Sequence, residues 1–447
     1  MVSIDVVERL TTGREVPDIR NIGASSPRQR SLYAVKTCGH LRLQAKSPPT
    51  RVICCWNARC YHVSMKPPVS KLPHIGTTIF TTMSALALEV DAVNLGQGFP
   101  DFACDPRLIE MMNEAMHAGH NQYPPMAGVP ALREAIADKV ATLYGRSYHP
   151  AHEITITAGA TQAIQTALTA IVHPGDEVII FEPVYDSYEP VIRMNGGVPV
   201  FATLNFPDYR PDWQQVRALI TARTRAIMIN SPHNPTATCW RAEDMEALAA
   251  VLRDTDIYLI SDEVYEHMVF DGALHQSVAR FPALAERAFV ISSFGKTYHV
   301  TGWKIAYCLA PAALMTEFRK AHQFIIFTVH TPSQHAIANY MALGTHNELA
   351  HFYQAKRDFF LASVKNTRLK WQPSRGTYFV SAQYAHVAEF AEMSDVVFAQ
   401  LLARKFGIAC IPVSAFHHDA TDHQTVRFCF AKRETTLSEA ADRLLKV

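Results

Sequence analysis

The sequence predicts an α/β fold, a mostly parallel sheet of seven strands sandwiched by helices, with a smaller α+β domain beside it. Three observations carry that expectation. Seven short strand-like runs recur between residues 154 and 309, amphipathic helical stretches separate several of them, and polar motifs cluster where the runs end. Strands alternating with helices build parallel sheets covered on both faces. Such sheets take ligands at the carboxyl ends of their strands.

The runs are ITIT (154–157), EVIIF (177–181), VPVFA (198–202), AIMIN (226–230), IYLIS (257–261), AFVIS (288–292) and IAYCL (305–309). Stretches such as DMEALAAVLRD (244–254) carry the helical pattern between them. The last hundred residues read as a separate α+β unit around the strand-like TYFVSA (377–382). With 447 residues and 48% apolar content, the chain can bury a large core and is expected to form two domains.

Charge excludes some function classes. The net charge of +1 offers no global attraction to nucleic acid or a membrane surface. No run of eighteen apolar residues is present to span a bilayer. The balance is uneven, however: residues 1–65 hold ten Lys/Arg against four Asp/Glu, leaving 32 against 37 in the remainder. Cysteines divide the same way, with Cys38, Cys54, Cys55 and Cys60 in the first 65 residues and five scattered beyond. An odd count without a CxxC pair fits free thiols in a reducing compartment, so a cytoplasmic protein is expected. Cys54, Cys55, Cys60 and His62 match no standard zinc spacing, and no metal is expected. Residues 1–64 lack periodicity and read as a disordered or non-native extension. Their four acidic residues and weak amphipathic pattern oppose a transit peptide. The natural protein is expected to begin at Met65, with MKPPVSKLP.

Four motifs carry the chemistry. Lys296, in SSFGKTYHVTGWK, follows the strand-like AFVIS, with Ser293 three residues before it and Lys304 eight after. A lysine at a strand end with a hydroxyl and a second cation suits an aldehyde cofactor bearing a phosphate. The amine forms a Schiff base, while the hydroxyl and the cation hold the phosphate. NSPHNPT (230–236), SDEVYEH (261–267) and TAGATQA (157–163) follow further strand-like runs, and the last opens a helix whose N-terminus favours an anion.

With these motifs, VNLGQGFPDF (93–102), NQYPPMAG (121–128) and VRFCFAK (426–432), the chain resembles the fold-type-I pyridoxal-phosphate aminotransferases of classes I and II. Its motifs are most similar to the methionine and kynurenine/glutamine aminotransferase branch, from about Lys71 to the C-terminus. The resemblance implies a small domain built from 341–447 with the arm 65–109, and a large cofactor-binding domain over 110–340. It implies pyridoxal 5'-phosphate on Lys296, which also serves as the base. Asp262 would partner the pyridine nitrogen, while Tyr265 and Asn234 would donate to the phenolate oxygen. Ala160, Thr161, Ser293 and Lys304 would cradle the phosphate, and Tyr185 would stack on the ring. Many aminotransferases carry arginine where this chain has Lys304; the kynurenine branch carries lysine. Tyr123 would reach the phosphate of a neighbouring subunit, making a homodimer with shared sites. Arg427 would bind the substrate α-carboxylate, with Gly98 allowing close backbone approach and Phe80 lining the side-chain pocket.

The resemblance therefore implies a ping-pong transaminase working on methionine, aromatic amino acids, glutamine or kynurenine and a 2-oxo acid. A cysteine-S-conjugate β-lyase on the same scaffold is the alternative within enzymes. A transcription regulator with an aminotransferase-like domain is opposed by the complete catalytic set and by the absence of helix-turn-helix periodicity in the basic N-terminal segment.

Overall fold

The computed structural model describes residues 52–56, 59–63 and 68–447, apart from Pro373. Most of the expected extension, and the expected start at Met65, lie outside these residues. Within the extension, Val52–Trp56 and Arg59–Val63 pair antiparallel, in a unit of their own. The second unit runs from Ser70 to Val447.

The centre of this unit is an eight-stranded sheet. In chain order its strands are β1 (Ile154–Thr157), β2 (Glu177–Glu182), β3 (Val198–Asn205), β4 (Arg210–Pro211), β5 (Thr224–Asn230), β6 (Tyr258–Asp262), β7 (Ala288–Ser293) and β8 (Ala306–Leu309). In space they lie in the order β1-β8-β7-β6-β5-β2-β3-β4. The pairs from β7 through β3 are parallel. All seven expected runs are strands, and the eighth is the two-residue edge strand β4, antiparallel to β3. β8 runs antiparallel to both its neighbours.

Both faces of the sheet are covered, which explains the unbroken apolar runs: every residue of β2 and β7 is buried. Alternation along the strands feeds two cores. Leu259, Ile227, Val290 and Tyr307 pack with helices Pro130–Tyr144, Ala242–Leu252 and Thr331–Met341. Ile260, Met228, Ile291 and Cys308 pack on the opposite side with Ala160–Ile171, Tyr188–Met194 and Ala312–Ile325.

A third core lies C-terminal. Its antiparallel sheet consists of β9 (Lys370–Trp371), β10 (Phe379–Gln383), β11 (Ile411–Pro412) and β12 (Thr425–Cys429), ordered β9-β10-β12-β11. Met83, Leu86 and Leu95 join Phe379, Leu402, Phe428 and Leu437 in this core, and Val93–Asn94 pairs in parallel with Ile408–Ala409. The helix Asp395–Phe406 shows how local chemistry sets an element here. The Ser394 side chain accepts from Val397 N at its start, and Gly407 at φ 69° ends it in the left-handed region.

Candidate active site

A cavity of about 250 Å³ opens at the carboxyl ends of β1, β5, β6 and β7 and reaches β10 and β12 of the C-terminal sheet. Every expected site residue except Tyr123 lines it. Tyr123 is 81% exposed and meets the Phe327 ring edge-on at 5.4 Å.

β1 hands the chain to a helix through Gly159, whose φ of 82° favours glycine. The helix Ala160–Ile171 has no side-chain cap, so its first turn keeps backbone N–H groups for another acceptor. Lys304 comes close to this turn. A Cβ on Gly159 would sit 2.9 Å from Lys304 Cε and 3.1 Å from its Nζ. Ser293 ends β7 and opens the short helix Phe294–Thr297, which carries Lys296 into the cavity. A bare helix N-terminus and an ammonium thus meet at one corner of a cavity that Ser293 also lines, an arrangement suited to an anion such as phosphate.

The Lys296 amine donates to the Tyr378 hydroxyl at 2.8 Å and to the Gly98 carbonyl at 3.3 Å. Burial depresses its pKa to about 8. Gly98 itself has no room for a side chain, since a Cβ would fall 2.8 Å from the Phe379 ring. Asp262, the last residue of β6, accepts from the Tyr188 hydroxyl at 2.6 Å and from Val264 N at 3.2 Å. Burial nevertheless raises its carboxyl to about 6. Asn230 at the end of β5 donates to the Asp262 carbonyl at 2.9 Å and accepts from Asn234 N at 2.8 Å. That pair of bonds fastens the 230–236 loop to β6.

Arg427 lies on β12 and is fully buried. One terminal nitrogen donates to Asn234 Oδ1 and the other to the Gly96 carbonyl at 3.1 Å. Its Nε finds no partner among the described residues. The guanidinium carbon lies 3.9 Å from the Phe379 ring centre and 5.3 Å from those of Phe80 and Phe416. Burial lowers its pKa, but a guanidinium remains a cation. A buried cationic fork with a free donor and apolar walls suits an acid that carries an apolar side chain. Tyr265 and Tyr185 stand on the cavity walls, edge-on to Tyr378 at 5.1 Å and to Tyr188 at 5.6 Å.

Tyr188, Tyr378, Asn230 and Phe379 were not assigned from sequence. Each of the two tyrosines reads locally as core. Their hydroxyls gain meaning from partners 74 and 82 residues away, Asp262 and Lys296. Asn230 was visible as the first residue of NSPHNPT, an amide closing an apolar strand, and that signal went unused.

A lysine and an acid facing one cavity at the strand ends of an α/β sheet, beside a bare helix N-terminus and a buried arginine, suit a group-transfer enzyme. Comparison with known proteins is specific. The family "Aminotransferase class I and II" matches residues 90–444. Methionine aminotransferase of Escherichia coli is 48% identical over 379 residues, covering 84% of this chain and 97% of the relative. Kynurenine–oxoglutarate transaminase 1 of Rattus norvegicus is 33% identical over 418 residues, covering 84% and 97%. A crystal structure that identifies a methionine aminotransferase function for YbdL of Escherichia coli superposes with a TM-score of 0.83 at 48% identity, covering 86% of this chain and all of that one. The chain belongs to the class I and II aminotransferases and is a transferase with the type I fold of these enzymes.

Proposed function

We propose that this aminotransferase uses pyridoxal 5'-phosphate and takes methionine and aromatic amino acids as donors, with glutamine and kynurenine within its range. The relatives named above support the donor class. So do Phe80, Phe379 and Phe416 around Arg427, which offer apolar contact beside a carboxylate fork.

The observation that carries the cofactor reading is the cradle at Gly159, which a single Cβ would fill. Ala160, Thr161, Ser293 and Lys304 would hold the phosphate there, and Tyr185 and Asn234 would hold the ring. When bound, the cofactor supplies an electron sink for the pair released at the substrate α-carbon. Asp262 would favour a protonated ring nitrogen, and Tyr188 keeps that carboxylate oriented. Arg427 would orient the substrate carboxylate, with the Gly98 backbone alongside. Lys296, its pKa brought down to about 8 by burial, is suited to take the α-proton and return it elsewhere. Tyr265, with Asn234, would donate to the phenolate oxygen of the cofactor. The amino group leaves one acid in the first half-reaction and reaches a 2-oxo acid in the second.

We further infer a homodimer, supported by the exposed aromatic side chains of Tyr123, Phe324 and Phe327. Tyr123 would serve the site of the second copy. The five free cysteines among the described residues suit the cytoplasm. Residues 110–340 would form the cofactor domain, and 341–447 with 65–109 the smaller one.

The test is an absorbance spectrum with added pyridoxal phosphate, followed by separate additions of L-methionine, L-phenylalanine, L-kynurenine and L-aspartate. A visible band that the first three amino acids bleach is the expected result. A band bleached by aspartate alone would overturn the donor class, and no band at all would overturn the cofactor.

A further inference from the structure

The turn that carries Asp262 and Tyr265 has a second face. Glu263 and Glu266, interleaved with them, bond away from the cavity. Glu263 accepts from Ser261 and from Val278 N, each at 2.9 Å, and pairs with His275 at 2.9 Å. Glu266 gathers donors from three other elements. Lys139 and Tyr144 of helix Pro130–Tyr144, Ser292 of β7 and Tyr307 of β8 all reach its carboxylate, with Lys139 at 2.7 Å and Tyr307 at 2.8 Å. Lys139 also contacts the Tyr307 hydroxyl at 2.6 Å. His267 lies 3.7 Å from the same carboxylate and is kept neutral by burial.

These anchors adjoin the site residues. Glu266 follows Tyr265, Ser292 precedes Ser293, and Tyr307 lies three residues after Lys304. Ser292 and Tyr307 are direct cross-strand partners. A buried ion pair is a poor source of net stability, because apolar side chains of equal volume do as well. What four directed donors on one carboxylate supply is fixed relative placement of the elements they come from, and transfer chemistry depends on such placement.

We propose that Glu266 is a positioning residue for the transfer reaction, holding Asp262 and Tyr265 in register with Ser293, Lys296 and Lys304 through Lys139, Ser292 and Tyr307. This rests on the cofactor reading above. Glu266→Gln strands the Lys139 ammonium and endangers folding, so the decisive variants are Ser292→Ala and Tyr307→Phe, each of which deletes one hydroxyl. The cofactor-loaded enzyme is compared with its variants for kcat, KM for methionine, the pH midpoint of the visible band, pyridoxal-phosphate affinity and Tm. The expected result is a kcat lowered about tenfold with KM within about twofold and a shifted band midpoint. A fall in Tm with kcat per loaded subunit and the midpoint both unchanged would overturn the proposal and leave Glu266 a structural anchor. If the parent protein forms no band with pyridoxal phosphate, the cofactor reading fails first and the positioning role falls with it.

Discussion

The two sides of the 262–266 turn use the same residue types to opposite ends. On the side away from the cavity, Glu266 and Lys139 are paired, buried and surrounded by hydroxyls. Burial alone would raise the carboxyl of Glu266, but attraction to Lys139 and the hydrogen bonds it accepts from Lys139 and Ser292 together hold it well below its ordinary pKa. On the cavity side, Asp262 is as buried and Lys296 half-buried, and both are less well partnered. Burial dominates there, so the acid rises to about 6 and the amine falls to about 8. Charges that are fully satisfied hold elements in place, whereas charges left short of partners are ready to exchange protons. The difference supports the proposed place of the chemistry without reference to any relative.

The sharpest way to break this contrast is to remove one lysine from each side. Lys296→Ala should lower the rate of transamination by about ten-thousandfold, roughly 5 kcal/mol of barrier, because it deletes the proposed proton carrier. Its Tm should not fall, since a poorly partnered buried charge is lost. Lys139→Met should do the reverse. It leaves Glu266 unpaired, which destabilises the fold by about 3–5 kcal/mol, while the rate falls only about tenfold. Steady-state kinetics on cofactor-loaded protein and thermal melts test both, and equal losses of activity and stability in both variants would erase the distinction.

The two carboxylates should also give stability opposite pH dependence. The folded pKa of Asp262 is raised from 3.8 to about 6, so the folded state binds more protons than the unfolded state across that window. The stability present below pH 3.8 is therefore lost as pH rises toward 6, by about 3 kcal/mol in total. The folded pKa of Glu266 is lowered, so its contribution is present above 4.5 and lost as pH falls. Denaturation of cofactor-free Asp262→Asn between pH 4 and 6 should show a shallower decline with rising pH than the parent, the remainder belonging to Asp395, whose carboxyl burial also raises to about 6. An unchanged pH slope would mean that Asp262 is better solvated than its burial indicates.

Arg427 shares features of both sides, being fully buried with two partners and one free donor. Arg427→Lys keeps a charge but not the fork. KM for methionine should rise about a hundredfold, or roughly 2.7 kcal/mol, with a smaller change in kcat. A kcat-dominated loss would instead assign the arginine to the reacting centre.

Much of this arrangement is legible in the chain itself. Strands such as EVIIFE can be read because burial on both faces requires unbroken apolar residues, and the motif at each strand end announces itself by interrupting them. Lys296, Asp262 and Asn234 all stand in such places, and Arg427 interrupts an apolar strand from within. The direction of β8 is not legible, since IAYCL would be apolar in either orientation. Nor does SDEVYEH reveal that alternate acids serve different sides. Asp262 and Glu263 look alike until Tyr188 approaches one and His275 the other, from 74 residues before and 12 after. Tyr378 escaped for the same reason, because a hydroxyl acquires a role only from the amine that folding brings to it.

The smallest expected effect probes the cradle. Gly159→Ala adds one carbon at φ 82° and ψ 162°, a backbone region essentially confined to glycine, at a cost of about 1–3 kcal/mol. The same carbon meets Lys304 at its flexible end, so the amine can move aside, but only away from the helix N-terminus. The loss should therefore appear as about a tenfold weaker hold on pyridoxal phosphate, with inorganic phosphate protecting the cofactor-free variant from thermal unfolding less than it protects the parent. Lys304→Ala supplies the control: if the corner is one cradle, combining it with Gly159→Ala should add little, because the displaced amine is already gone. Fully additive losses would mean that the glycine and the lysine serve separate purposes.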